Sequence, residues 1–416
     1  MKSQHPMRIL MLTQVLPYPL DSGPKFKTYH VLKYLAERHE VTLVSFVREG
    51  DDPCALAHLQ NLCHAVYTAP MRRSRLQDVG FMLGSLATNR PFLMLRDERP
   101  AMWALLRQLI DGGWRAEGGE LPSSVLRPPS SFDVVYADQL NMAAYALGVP
   151  AKRRVLDEHN VLWALCRRIC ATLPQGPKRW ALEREWRLLR RYEREMTHRF
   201  DLILTVSDED KAALAEIADG PARIEVLPIA IDPGEGHLPR DPAEPHILHL
   251  GTMFWPPNAD GVLWFAHEVY PHIRARLPQV CFSIVGADPP PEVRALSAGD
   301  ASITVTGYMA DAQPIIQKSS VLVVPLRAGG GMRVKILNAL AQGLPVVTTT
   351  IGCEGIAAVP GRDLLVADTA EAFAQAVLRV LMDEELARAL AAHGRRLIEE
   401  KYDYRVVCRK LEAICA

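Results

Sequence analysis

The sequence predicts an α/β protein with two parallel sheets, one in each half. Three observations carry this. Short apolar, β-branched runs alternate with stretches of helical period through most of the chain. Near the middle, Asp232–Pro245 gathers four prolines and two glycines among charges, a composition that separates domains. Most of the runs also end in glycine, a small residue or a polar cluster, and sites form at the carboxyl ends of parallel strands.

Length and composition set the outer bounds. A chain of 416 residues suits two or three domains, and 49% hydrophobic residues suffice for packed cores. The formal net charge of +0 gives no reason to expect nucleic acid. Eight cysteines include no C-x-x-C pair; Cys166 and Cys170 are one turn apart without a second pair or a nearby histidine, so zinc is not expected. No uncharged apolar run reaches the roughly 18 residues of a membrane span, and the start lacks an apolar signal core. The expectation is a cytoplasmic protein, free or on the inner surface of a membrane.

The first strand is Arg8–Leu12. A loop with Pro17, Pro19, Asp21, Ser22 and Gly23 follows, then an amphipathic helix over Lys25–Arg38 and a strand at Val41–Phe46. This βαβ unit predicts a parallel sheet, with a ligand loop at the end of its first strand. It lacks G-x-G-x-x-G and is no dinucleotide fingerprint. Lys25 and Lys27 read as solvated helix residues, or as contacts for an acidic ligand. Arg75–Ile110 mixes Phe81, Met82, Leu83, Pro91, Phe92, Met94 and Trp103 with arginines, and reads as a helical hairpin, a mobile lobe or a membrane-facing patch. Gly112–Ser131 reads as a loop insertion.

Strands follow at Phe132–Tyr136, Arg154–Leu156, Asp201–Val206 and Ile224–Leu227. The second ends in Asp157-Glu158-His159-Asn160. A strand-end histidine there serves as a base, a hydrogen-bond donor or a cap. Between them, Lys178–Arg199 holds eight basic residues against four Glu, with Trp180, Trp186 and Tyr192, and is a candidate contact for anionic lipid. After the break, strands are expected at His246–Leu250, Val280–Val285 and Ile303–Thr306, with a helix over Asn258–Leu277.

The stretch Val321–Thr349 organises the second half. It reads strand, glycine loop, helix and strand. Gly329, Gly330 and Gly331 let a ligand approach the backbone, and the helix over Met332–Gln342 offers free N–H groups at its start. Arg333 and Lys335 add cations where the helix dipole disfavours them. That arrangement fits a bound anion.

Together these stretches resemble family 4 of the GT-B glycosyltransferases, the retaining nucleotide-sugar enzymes, and in particular the bacterial transferases of exopolysaccharide gene clusters. TQVLPYPLDSGPKFKTYH, RVLDEHNVLW, LGTMFWPPNADGVLWF, TGYMADAQPIIQKSSVLVVPL and GGGMRVKILNALAQGLPVVTT with IGCEGI carry the resemblance. It implies two facing Rossmann-like domains with a cleft between them. The expected boundaries are 1–231 on the acceptor side, a linker 232–245, and a nucleotide-sugar domain 246–400. A closing helix over 401–416 is expected to pack back on the first domain.

The resemblance also implies roles. The family's E-x7-E motif falls on Gly330 and Asn338, so both carboxylates are missing. Asn338 can still hydrogen-bond a sugar hydroxyl. The loop Gly251–Asn258 lacks the family's Arg and Lys, and Arg333 and Lys335 are expected to take the diphosphate. His159 matches the histidine beside the reacting sugar carbon. Tyr308 and Met309 match the nucleobase segment, Glu354 and Gly355 the donor-sugar loop, Gly251 and Thr252 the donor side, and Gly23 the first-domain loop. No metal-binding D-x-D and no metal is expected. The implied function is retaining transfer of a sugar from a UDP- or GDP-sugar to a hydroxyl on a glycan or lipid-linked acceptor. The alternatives are a nucleotide-sugar 2-epimerase and a non-catalytic sugar-nucleotide-binding protein.

Overall fold

The computed structural model describes residues 6–20, 23–111, 131–220, 222–234, 244–309, 311–329 and 331–415. The expected loop over Gly112–Ser131 and most of Asp232–Pro245 therefore lie outside the described residues. The chain forms two compact units, Met1–Ala230 with Val407–Ala416, and Ile231–Val406.

The first unit holds seven strands: β1 (Arg8–Thr13), β2 (Glu40–Val47), β3 (Ala65–Pro70), β4 (Phe132–Asp138), β5 (Ala151–Glu158), β6 (Leu202–Thr205) and β7 (Ile224–Val226). Their order is β3-β2-β1-β4-β5-β6-β7, and every pair is parallel. Parallel strands are covered on both faces, so they read as continuous apolar runs. In β1, Ile9, Leu10, Met11 and Leu12 are all buried. The helix Gly23–Ala36 starts and stops two residues earlier than its periodicity predicts. The segment after β3 is three helices, Arg75–Thr88, Phe92–Asp97 and Pro100–Ile110, rather than a hairpin. The helical stretch after β5 breaks into Leu162–Thr172 and Pro177–Arg199.

The second unit holds β8 (His246–Leu250), β9 (Cys281–Val285), β10 (Ile303–Gly307), β11 (Val321–Val324), β12 (Val346–Thr348) and β13 (Leu365–Val366). They are parallel in the order β10-β9-β8-β11-β12-β13, the doubly wound arrangement. Its switch point falls between β8 and β11. The helix expected over Asn258–Leu277 is interrupted: Pro256–Trp264 passes through a π-turn at Phe265–Val269 before Tyr270–Arg274. The C-terminal helix Tyr404–Cys415 leaves the second unit and ends in the first, where Glu412 accepts a hydrogen bond from Tyr34 at 3.1 Å.

No helix among the described residues is long and apolar enough to cross a membrane. Cys166 and Cys170 are buried, and no described cysteine is in a disulfide.

Candidate functional site

In the first unit the switch point lies between β1 and β4. Strand pairing sets Asp138, the last residue of β4, directly beside Asp157 of β5. The helix after β1 packs its first turns over these strand ends. Lys27 is fully buried there and is ion-paired with Asp157 Oδ1. Tyr136 Oη donates to Asp157 Oδ2 at 2.5 Å, and Thr28 Oγ1 donates to the Asp138 carboxylate at 2.9 Å. Neither reading of Lys27 from the sequence holds. It is neither solvated nor open to an acidic ligand, because its helix buries that side and Asp157 takes the charge.

His159 follows β5 and is buried against this group. Its Nε2 lies 3.0 Å from Asp138 Oδ1 and 3.9 Å from Asp157 Oδ2. The approach angle does not make a hydrogen bond, and neither ring nitrogen has another one. The imidazole is thus packed against two carboxylates, with both ring nitrogens buried and without a hydrogen bond among the described residues. Ligand atoms of Asp138, Asp157 and His159 lie within 4.8 Å of one another, near enough for one cation. Lys27 already supplies the positive charge at that point.

Glu158 projects to the other face of the strand, as alternation requires. It is buried, and burial and the neighbouring Glu193 push its pKa well above the carboxylate range. Burial likewise pushes Glu193 up to about 8. Glu193 accepts from the N–H groups of Leu162 and Trp163 at 2.6 and 3.0 Å, so it fixes the start of the helix that follows His159.

In the second unit the strand ends bring together residues far apart in sequence. Gly251 and Thr252 follow β8. Lys335 Nζ donates to Asn258 Oδ1 at 3.0 Å, and Asn258 Nδ2 donates to the Thr252 carbonyl at 2.9 Å. A Cβ at Gly251 would collide with Lys335 Nζ and lie 2.9 Å from Asn258 Nδ2, so only glycine lets the ammonium reach this loop. Burial first, and then Arg333, lowers the Lys335 pKa to about 7. Next to it on β8, His249 is fully buried, with Nδ1 at 3.0 Å from the Val323 carbonyl. Burial and then Lys335 hold its pKa well below the usual imidazole value.

The helix expected at Met332 begins at Val334 and ends at Ala341, with Arg333 as its N-cap rather than in its first turn. Arg333 Nη1 donates to the Gly331 carbonyl. Gly331 has φ 81° and Gly329 φ 129°, conformations a side chain would strain. Gly355, with φ 77°, packs on Met332: a Cβ there would sit 3.8 Å from Met332 Cα. Glu354 is therefore beside the same loop. Asn338 is half-buried one turn beyond Lys335.

So Gly251 and Thr252 after β8, Gly331, Arg333 and Lys335 after β11, and Glu354 and Gly355 after β12 fall on three adjoining stretches around the start of one helix. Tyr308 is exposed past the end of β10 with Met309 beside it, at the sheet's far edge. Gly330 lies outside the described residues. Gly23 opens the first-unit helix that carries Lys27. Sequence reasoning missed Asn258, His249, Lys27, Thr28 and Tyr136. For Lys27 a signal existed: Leu35, Val31 and Lys27 step back by fours along the buried stripe.

The expected lipid-facing aromatics are corrected in part. Trp186 and Tyr192 pack against the core, and only Trp180 is exposed. Steps of six residues turn a helix by about 240°, so these three rings cannot share a face.

Residues 244–383, within the second unit, match the family model described as Glycosyl transferases group 1. A relative from Klebsiella pneumoniae, an uncharacterized 44.6 kDa protein in the cps region, is 21% identical over 409 residues, 96% of this chain and 97% of its own. Among solved structures, Anabaena HepE in complex with UDP and glucose is similar with TM-score 0.64 at 14% identity, covering 98% of this chain and 99% of that one. Sucrose-phosphate synthase from Thermosynechococcus elongatus gives TM-score 0.68 at 15% identity, covering 98% of both chains. WaaG, a glycosyltransferase involved in lipopolysaccharide biosynthesis, gives 0.64 at 16%, covering 98% of this chain and 99% of that one. At such identities these structures establish the fold, and the family model supplies the activity. The chain has the GT-B fold, and the match of residues 244–383 to glycosyl transferases group 1 marks it as a glycosyltransferase.

Proposed function

We propose that this glycosyltransferase moves a sugar, with retention, from a nucleoside-diphosphate sugar to a hydroxyl of a lipid-linked or growing glycan at the inner face of the membrane. The observation that carries the donor is Lys335. Its half-desolvated ammonium reaches through a gap only glycine allows, and it meets a neutral amide. A diphosphate completes such a site. It also meets the start of a helix, with Arg333 adjoining. A UDP-sugar is the first donor to test, since HepE was crystallised with UDP and glucose. The cps-region relative supports a role in exopolysaccharide synthesis.

In this reading Lys335, Arg333 and backbone N–H groups offset the negative charge that grows on the leaving diphosphate. No metal is called on for that step. The leaving phosphate oxygen takes the proton of the acceptor hydroxyl as it attacks from the same face. His159 positions the donor sugar and steadies positive charge at the reacting carbon; it is not a nucleophile. The Asp138 carboxylate packs against the imidazole, with Oδ1 3.0 Å from Nε2.

The test is a thermal-shift screen of UDP-, GDP- and ADP-sugars, followed by transfer assays with and without a metal chelator. A stabilising UDP-sugar and chelator-resistant transfer are expected. No stabilisation by any nucleotide would overturn the donor assignment. Transfer abolished by the chelator would overturn the metal-free step.

A further inference from the structure

The helix Arg75–Thr88 is turned inside out. A surface helix normally directs its apolar stripe at the core and its polar face at water. Here Asp78, Phe81 and Ser85 share the inward face: Arg99 stacks over the Phe81 ring at 4.8 Å, and Ser85 is buried. Leu76, Val79, Leu83 and Leu86 recur at steps of three and four on the opposite face. They are 86%, 60%, 61% and 50% exposed. No acidic residue interrupts that stripe.

The neighbourhood of the stripe supplies what an apolar patch alone lacks. Arg184, on the helix Pro177–Arg199, donates to Ser85 Oγ at 2.9 Å and to the Ser85 carbonyl at 2.7 Å, so the two helices adjoin. Trp180 sits one turn before Arg184 and is 64% exposed. Trp180, Arg184, Arg187 and Arg191 line a depression of ≈ 450 Å³ that reaches Asn89, the residue capping the end of the apolar helix. Glu183 is the one acidic residue in it, and it is paired with Arg187. An exposed leucine stripe, an interfacial tryptophan and an arginine-lined hollow therefore adjoin on one unit.

We propose that this surface docks on an anionic phospholipid bilayer, with the helix Arg75–Thr88 lying in the interface plane. The four apolar side chains enter the acyl boundary, Trp180 sits at headgroup level, and the arginine hollow takes lipid phosphates. The charge decides between occupants. A second copy of this chain would bring a second set of arginines against the first, whereas an anionic headgroup neutralises them. The inference adds a surface to the lipid-linked acceptor of the proposed function. It rests on that reading for its purpose and not for its test.

The test is sedimentation of the purified full chain with phosphatidylcholine vesicles, with and without phosphatidylglycerol, at low and high salt. Binding to the anionic vesicles, weakened by salt, is expected. Leu76→Glu/Leu83→Glu should lower that binding by about tenfold or more, with circular dichroism and melting unchanged because both side chains are exposed. Arg187→Gln/Arg191→Gln should remove the preference for phosphatidylglycerol. Failure to sediment, or binding that survives the leucine changes, would overturn the proposal. So would concentration-dependent self-association abolished by those changes, since the stripe would then belong to a second copy. Nucleotide affinity measured without vesicles separates the two readings. A chain that binds UDP-sugar but not vesicles loses only the docking surface, and one that binds vesicles but no nucleotide loses only the donor assignment.

Discussion

The two sheets carry their buried charges differently at their carboxyl ends. In the first unit, Lys27 lies against Asp157, and His159 Nε2 lies 3.0 Å from Asp138. In the second, Lys335 meets the neutral amide of Asn258, and its nearest charged influence is another cation, Arg333. The first cluster is complete without a ligand. It serves as a rigid seat for one imidazole. The second gains by acquiring an anion. In the proposed function, the ionic chemistry of the first unit serves positioning and that of the second serves binding. Changes in the first unit should therefore appear in stability and turnover, and changes in the second in affinity.

The largest effect is expected at Lys27. Lys27→Met strands the Asp157 carboxylate in the interior. Breaking one partner of a buried pair costs about 3–5 kcal/mol. Urea unfolding should show that loss, and Lys27→Met/Asp157→Asn should recover much of it. A single variant as stable as the parent would show that water or rearrangement already screens Asp157. The positioning role of the cluster would then fail.

His159 comes next. His159→Ala should lower kcat by about 100-fold, the scale of one positioned catalytic group. The affinity for nucleoside diphosphate should stay near the parent's. Titration calorimetry beside initial-rate kinetics separates the two. Loss of affinity at unchanged kcat would move His159 into the donor-binding set and erase the contrast.

On the other side of the comparison, Lys335→Ala should weaken nucleoside diphosphate binding by roughly ten- to a hundredfold, as expected for a charge-assisted contact to phosphate. The empty protein should melt no lower, since the substitution removes an unfavourably desolvated amine. The pH dependence sharpens this. In the folded chain the amine titrates near 7, and in the unfolded chain near its usual, higher value. Between the two, the unfolded state binds the extra proton, so empty-protein stability should rise as pH rises through that window. The anion requires the protonated amine, so affinity should fall over the same range, by up to about tenfold per pH unit. In Lys335→Ala both slopes should flatten. An affinity independent of pH in the parent would show that the amine is already charged.

Much of this was legible in the sequence, and the limits are physical. Parallel strands buried on both faces announce themselves as runs such as Val321–Val324, and the glycine loop with its cations announces the start of the helix after that strand. Partnership across the sheet did not show. Asp138 meets Asp157 through strand register, and Gly251 meets Lys335 because β8 lies beside β11; neither fact is local. Asn258 does not stand out in a loop where the resemblance implies Arg or Lys, yet an amide suffices to orient one lysine. Lys27 was misread because a charged residue at a stripe position was assigned to water. The inverted helix is the converse case. Leu76, Val79, Leu83 and Leu86 recur at helical steps, but a sequence cannot say which side of a stripe faces the protein.

The smallest expected effect concerns Glu158, and it tests the first unit's half of the contrast from beneath. Asp157 and His159 point to the candidate site, and Glu158 between them points to Glu193 under the sheet. Both carboxyls are buried and pushed up, Glu193 to about 8. Glu193 already accepts two backbone N–H groups. It is therefore the better-stabilised anion, and Glu158 is the better proton holder. Raised carboxyl pKa values mean the folded state holds a proton that the unfolded state has lost, so stability should fall as pH rises from about 4.5 to about 8. That slope is opposite in sign to the one from Lys335. Glu158→Gln keeps a donor for Glu193 and cannot ionise. It should leave stability near pH 5 almost unchanged and add on the order of 1 kcal/mol near pH 8, a typical net hydrogen-bond scale. Melting curves at the two pH values, for parent and variant, provide the measurement. A variant that loses stability equally at both would show Glu158 to be an anion with partners of its own, and the buried acids would then not share a proton.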